Sequence, residues 1–314
     1  MNNPIIKIKN IYKKYGKFEA LKNVSINIQE NSIFGLLGSN GAGKTTLLHI
    51  ITGLLNQSEG EIHIFNEKID NYSNNLKKRI AIVPQKISLY EDLSIYDNLY
   101  FFGNAYGLKK QEIKNRINEL TDILQLGNLK RKIKTLSGGY QRRTSLAVGL
   151  IGHPEILILD EALVGIDLET KKIISNLLKQ LKNSVTIIIT THSIREAEEF
   201  CDEICFLHRG KKVIQGNTKT IIENYSKTHG EKIIVTFNNP NSAKEFYKEH
   251  LHNSVKIKDN EITITFSSSK HNAKDIISFV KNNSKYQNYI ESIEANKPNL
   301  EDVMLKLINS GKNK

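Results

Sequence analysis

Apolar and polar residues alternate over residues 5–11, and again over 24–28 and 62–65. A period of two sets one face of a strand in a core and the other in water, so these stretches predict half-buried strands of an antiparallel sheet. Three other runs, 33–37, 156–159 and 185–189, are almost purely apolar. Strands covered on both faces read this way, which predicts the centre of a parallel sheet. Helical periodicity lies between them, so the core is α/β. Residues 88–152 carry helical patterns broken at Gly103, Gly107 and Gly127, with no buried strand, which predicts a separate helical lobe.

Beyond Gly216 the rhythm changes. Strands are predicted at 232–237, 254–258, 261–266 and 289–295, and helices at 242–250 and 272–280. That order, β-α-β-β-α-β, is the split βαβ arrangement. An amphipathic helix follows at 300–308. The predicted organisation is a large domain over 1–216, a linker over 217–230 and a small α+β domain over 231–314. A chain of 314 residues has room for both cores.

With 39% hydrophobic and 25% charged residues, the composition is globular rather than disordered. The net charge of +12 is spread over both regions, with no dedicated basic arm, so no specific nucleic acid is expected as a partner. Cys201 and Cys205 are too few for a disulfide framework and fit a reducing compartment. Their spacing could put both on one helical face, where they read as buried structural residues rather than metal ligands beside His192 and His208. No apolar run reaches the length of a membrane span, and Met1-Asn2-Asn3-Pro4 opens neither a signal nor a transit peptide. The expectation is a cytoplasmic protein that meets a membrane only through a partner.

Gly38-Ser39-Asn40-Gly41-Ala42-Gly43-Lys44-Thr45 fits G-x-x-x-x-G-K-[ST], the P-loop. An apolar strand precedes it, and a helix predicted at 46–52, opening at Thr46, follows. The glycines let backbone N–H groups turn toward phosphate oxygens, and the helix N-terminus adds partial positive charge. Lys44 would neutralise the β and γ phosphates, and Thr45 would place its hydroxyl on Mg²⁺. A plain glycine-rich turn explains the glycines but not Lys-Thr at that offset. The run 156–159 ends in Asp160 and Glu161. Strand C-termini of open α/β sheets face the ligand crevice, so Asp160 would hold Mg²⁺ and Glu161 would orient or deprotonate the attacking water. Leu136-Ser137-Gly138-Gly139-Tyr140-Gln141 opens a further helix with a Ser/Gly N-terminus suited to an anion.

Together these motifs resemble the ATP-binding cassette of ABC transporters over residues 5–215, with Leu136-Ser137-Gly138-Gly139 similar to the ABC signature. The resemblance implies a P-loop NTPase cassette: a RecA-like parallel-sheet core, an N-terminal antiparallel β subdomain and a helical subdomain, followed by a small ferredoxin-like α+β domain. It implies ATP and Mg²⁺ as ligands, with residues 39–46, Ser137, Gly138, Gly139 and Asp167 around the nucleotide. Tyr15 matches the aromatic that stacks on adenine, and Asp167 the D-loop aspartate. Gln85 matches the glutamine that senses Mg²⁺ and water, and His192 the histidine that contacts the γ-phosphate. Two cassettes, identical or not, would sandwich two ATPs head to tail. Tyr96, Tyr100 and Phe102 are candidates for an exposed surface where a transmembrane permease docks. Tyr140-Gln141-Arg142-Arg143 and the ending Pro298-Asn299-Leu300-Glu301-Asp302-Val303-Met304 look like the branch that exports drugs, antibiotics or lipids. Tyr140, Ala162 and Ile166 depart from the usual glutamine, proline and leucine. Rival readings are an ABC ATPase acting on nucleic acid or ribosomes, or a purely regulatory cassette. A single P-loop, the lack of heptads between Lys44 and Ser137, and the presence of Glu161 and His192 weigh against them.

Overall fold

The computed structural model describes residues 4–69, 73–229, 231–250, 255–259, 261–266, 277–278, 281–282, 285–296 and 298–310. They divide into two compact units, Met1–Asn217 and Thr218–Lys314.

In the first unit β1 (Ile6–Tyr15) and β2 (Phe18–Ile28) form a hairpin, and β3 (Ile33–Leu37) leads into α1 (Lys44–Ile51). β4 (Glu59–Ile64), β5 (Glu67–Lys68), α2 (Asn74–Arg79) and β6 (Ile80–Val83) follow. The helical stretch holds α3 (Ile95–Tyr106), α4 (Lys110–Leu124) and α5 (Gly138–Leu150). Then come β7 (Ile156–Asp160), α6 (Leu168–Leu181), β8 (Thr186–Thr191), α7 (Ile194–Phe200), β9 (Glu203–His208) and β10 (Lys211–Asn217). The alternating strands form an antiparallel sheet ordered β2-β1-β4-β5. The apolar strands form a second sheet ordered β10-β9-β3-β8-β7-β6, parallel except for the edge strand β10.

Every residue of β3 and β8 is buried, as their unbroken apolar runs predict. β6 and β9 were not anticipated. Each is a short apolar run, and so few residues carry no period that separates strand from helix. The cysteines are placed differently from the expectation of one helical face. Cys201 ends α7 while Cys205 lies within β9. Both are buried, and burial pushes both thiols up to about 12. Among the described residues no cluster of three or more His, Cys, Asp or Glu side chains is placed to hold a metal, and no helix is long and apolar enough to cross a membrane.

Parallel pairing sets Leu37 beside Thr191 and Asp160 beside Thr190. The P-loop, the Asp160-Glu161 pair and His192 therefore leave the sheet side by side, at the strand C-termini where α/β sheets bind ligands.

The second unit begins with α8 (Thr218–His229), a helix where a linker was expected. Ile221, Ile222 and Tyr225 recur at helical spacing, and Ile221 is buried, so the segment has an apolar side to cover. β11 (Glu231–Phe237), α9 (Pro240–His250), β12 (Val255–Lys258), β13 (Glu261–Phe266), β14 (Ile290–Asn296) and α10 (Leu300–Ser310) follow. The four strands form an antiparallel sheet ordered β12-β13-β11-β14. Ile233, Val235, Phe237, Phe246, Ile262 and Tyr286 fill its core. The helix predicted at 272–280 lies outside the described residues except for 277–278.

Candidate functional site

The loop between β3 and α1 ends at Gly43, whose φ of 105° is left-handed. A Cβ there would sit 2.8 Å from both Ala20 O and Leu21 Cδ2, so only glycine fits this bend. The bend starts α1 at Lys44 and leaves the first N–H groups of the helix without intrahelical acceptors. Lys44 is buried, and its ammonium is held by two carbonyls and a carboxylate. Nζ donates to Gly38 O at 2.7 Å and Ser39 O at 3.3 Å, and stands 3.5 Å from Glu161 Oε1. A buried cation needs such partners, and the same position suits a phosphate.

A cavity of about 370 Å³ opens over this loop. Its walls are Tyr15, Phe18, Ala20, residues 40–46, Gln85 and Glu161. Tyr15 and Phe18 face each other across the tip of the β1–β2 hairpin and are both exposed, making an apolar end. Lys44, Thr45, Gln85 and Glu161 make the polar end. An elongated ligand with a flat ring at one end and anions at the other matches this division.

Glu161 is the centre of the polar end. Its Oε2 accepts from Gln85 Nε2 at 3.1 Å, and its Oε1 lies 3.6 Å from His192 Nδ1 as well as near Lys44. Its φ of 46° is left-handed. Proline at the next position would disfavour this conformation, and the chain has Ala162 there. Thr190 anchors the turn: its hydroxyl donates to Asp160 Oδ1 at 2.6 Å and accepts from Glu161 N at 2.9 Å. Thr45, Gln85 and Asp160 could supply the hard oxygen ligands that Mg²⁺ takes. Thr45 and Gln85 line the cavity, and Asp160 adjoins Glu161, which does.

Ser137, Gly138, Gly139 and Asp167 do not line this cavity. Ser137 caps α5, accepting from Tyr140 N at 3.4 Å. Asp167 caps α6: its carboxylate accepts from Thr170 N and Thr170 Oγ1, both at 2.8 Å. Those bonds, the backbone one foremost, hold the Asp167 carboxyl below the usual aspartate range. A Cβ on Gly139 would collide with Thr170 Oγ1 and Asp167 Oδ2, so the two helix starts pack directly together. One chain thus brings Tyr15, the P-loop, Gln85, Glu161 and His192 to one place, and Ser137-Gly138-Gly139 with Asp167 to another.

Residues 21–164 match the sequence profile of the ABC transporter family. The linearmycin resistance ATP-binding protein of Bacillus subtilis is 35% identical over 308 residues, 96% of this chain and 98% of that protein. The chain belongs to the ABC transporter family, as an ATP-binding subunit. The Nod factor export ATP-binding protein I of Cupriavidus metallidurans is 34% identical over 221 residues, 70% of this chain and 73% of its own. Among solved structures, the ATP-binding cassette MJ0796 as a dimer in a post-hydrolysis state with ADP and Pi is 29% identical, with a TM-score of 0.61, over 68% of this chain and 98% of that one. This member of the ABC family is therefore an α/β cassette ATPase that binds ATP.

Three residues of this cassette's site were not singled out by sequence reasoning. Phe18 shares the cavity wall with Tyr15. Its signal was available, an aromatic three residues on at a hairpin tip. Thr190 carries its role through a cross-strand bond to β7, which no local pattern reveals. Arg142 is buried, and its guanidinium donates to Pro84 O at 2.9 Å and Gln85 O at 2.7 Å. Burial lowers its pKa from the usual arginine value. Sequence marks Arg142 only as part of Tyr140-Gln141-Arg142-Arg143, the run similar to the exporter branch, and gives it no role in the site.

Proposed function

We propose that this subunit binds Mg-ATP in the cavity between Tyr15 and Glu161, hydrolyses it as one of a head-to-tail pair of cassettes, and so powers export through a separate membrane permease. The observation that carries the reading is the cavity itself, with a flat apolar end and a polar end built of Lys44, Thr45, Gln85 and Glu161. Tyr15 stacks on the base, which every base tolerates. Lys44 and the amides of residues 40–46 hold the phosphates. Thr45, Gln85 and Asp160 would hold Mg²⁺, which would supply positive charge against the phosphates. Glu161 takes a proton from the attacking water at a carboxylate oxygen, and Gln85 and His192 keep that carboxylate in place.

The pair follows from what one chain lacks. A γ-phosphate needs donors on several sides. The helix start at Ser137-Gly138-Gly139 does not line the chain's own cavity, which supports its use on the nucleotide of a second cassette. Export is supported by the relatives named for linearmycin resistance and Nod factor export. The permease would dock on the helical lobe, where Leu93, Asp97, Tyr100, Phe101, Asn104 and Ala105 line a groove. Tyr90 and Phe101 are the exposed aromatics of that lobe, whereas Tyr96, Tyr100 and Phe102 are half-buried.

Glu161→Gln tests the reading. It keeps the shape and removes the base, so ATP still binds while hydrolysis falls by about 10²–10⁴, the usual contribution of general-base catalysis. Size-exclusion chromatography with ATP then shows a dimer for the variant and mainly monomer for the wild type. Chelating Mg²⁺ stops wild-type hydrolysis. A variant that hydrolyses ATP at the wild-type rate removes Glu161 from the role of base.

A further inference from the structure

Gln85 is exposed and lies just after β6, in a stretch without regular structure that runs to α3 at Ile95. Its amide nevertheless reaches Glu161 Oε2 at 3.1 Å. Something must fix the backbone behind it. The side chain that does so is Arg142, which comes from α5 and is only 8% exposed. The two ends of its guanidinium donate to consecutive carbonyls, Pro84 O at 2.9 Å and Gln85 O at 2.7 Å. A planar fork on two adjacent carbonyls sets the orientation of the peptide as well as its position, which a single bond would not do.

The charge itself is informative. Among the described residues none of the ion pairs involves Arg142. A buried cation without a counter-ion is costly, and a neutral side chain would fill the space at lower cost. Here the carbonyls take the place of water. The path is continuous. α5 begins at Gly138 behind the cap Ser137, carries Arg142 one turn in, and Arg142 grips the backbone of Gln85. The Gln85 side chain meets Glu161, whose other oxygen faces Lys44 and His192.

We infer that Arg142 is a positioning residue for hydrolysis: it ties Gln85 to the helix that starts at Ser137-Gly138-Gly139, so the water-facing side of the site follows that helix. The inference rests on the reading of Glu161 and Gln85 given above. A shift of α5 carries the Gln85 peptide with it and moves the amide relative to Glu161. Most of the nucleotide's contacts, at Tyr15 and residues 40–46, lie outside this link, so breaking it tells on hydrolysis far more than on binding.

The test is steady-state ATP hydrolysis by the full chain, with a fluorescent ATP analogue titrated into each variant to show that the site is folded. Arg142→Met lowers kcat by about tenfold to a hundredfold, the loss an ångström of misplacement causes, and leaves KM within about twofold. Arg142→Lys, with a single point donor, recovers part of that loss. Gln85→Ala lowers kcat too, and adding Arg142→Met to it lowers kcat no further, because both break one link. A merely structural arginine gives losses that multiply in the double variant, and that result overturns the inference. A raised KM with unchanged kcat overturns it as well. If Arg142→Met does not bind the analogue, Arg142→Gln, which keeps one donor, takes its place in the same cycle. A wild-type rate in Arg142→Met, alongside an inactive Glu161→Gln, removes this inference and leaves the assignment of the base standing. Wild-type hydrolysis that survives Glu161→Gln removes both.

Discussion

Glu161 holds a left-handed backbone, with φ of 46°, which costs a side-chain-bearing residue about 1–3 kcal/mol and persists only where the surroundings over-determine it. Here two bonds from its N–H do so, to Thr190 Oγ1 at 2.9 Å and Thr190 O at 3.2 Å. The Thr190 hydroxyl also serves Asp160. Thr190→Val keeps the shape and removes that hydroxyl. It should cost about 1–3 kcal/mol of stability by removing two part-buried hydrogen bonds, one of them to a carboxylate, and hydrolysis should fall because Asp160 and Glu161 lose a common anchor. Denaturant melts and ATPase rates check both, and an unchanged rate would separate Thr190 from the site. At the other end of the cavity, Tyr15→Ala should weaken binding of a fluorescent ATP analogue by about 1–3 kcal/mol if the base stacks there. Phe18→Ala should weaken it too, since Phe18 lines the same wall. Unaltered affinity in both variants would place the base elsewhere. Lys44, Glu161 and His192 could be picked out from local motifs. Thr190 and Arg142 could not, because their partners are 30 and 57 residues away in sequence.

Among the elements, the helical lobe shows why periodic segments are readable. Ile113, Ile117, Leu120 and Leu124 are the buried residues of α4, one side of a helix at steps of three and four. α3 has its own start signal. Ser94 Oγ accepts from Asp97 N at 3.1 Å while Asp97 Oδ2 accepts from Ser94 N at 3.3 Å, a reciprocal cap. Ser94→Ala should lower stability by about 0.5–2 kcal/mol. Hydrogen exchange should locate the loss in the first turn of α3, and protection there equal to the wild type would show that the cap is redundant. The apolar strands were legible for the opposite reason, since an unbroken hydrophobic run has few places to go except the centre of a sheet. β6 and β9 escaped because they are short and their burial comes from neighbours far away in the chain. α8 is a helix where the change in rhythm at Gly216 predicts a linker, because three apolar residues at helical spacing, Ile221, Ile222 and Tyr225, are a weak signal in so short a segment.

For the whole molecule, β10 completes the first unit and ends at Asn217, where the second begins. Each unit has its own core, so a chain cut after Asn217 should fold and bind an ATP analogue within roughly twofold of the full chain, as separate domains do. Loss of binding in a folded truncation would show that the second unit contributes to the site. Its own motifs offer no chemistry, which leaves regulation or pairing as its proposed role. The sequence alone determined the α/β core, the P-loop, the strand-end carboxylates and the family, because each is written in neighbouring residues whose spacing reflects local backbone geometry. Tertiary structure decided what those pieces meet. Parallel register set Asp160 beside Thr190 and Leu37 beside Thr191, and packing of α5 against the turn after β6 put Arg142 on Gln85. Such contacts join residues far apart in the chain, and register and packing are settled by the shared burial of whole strands and helices, which no short stretch of sequence contains.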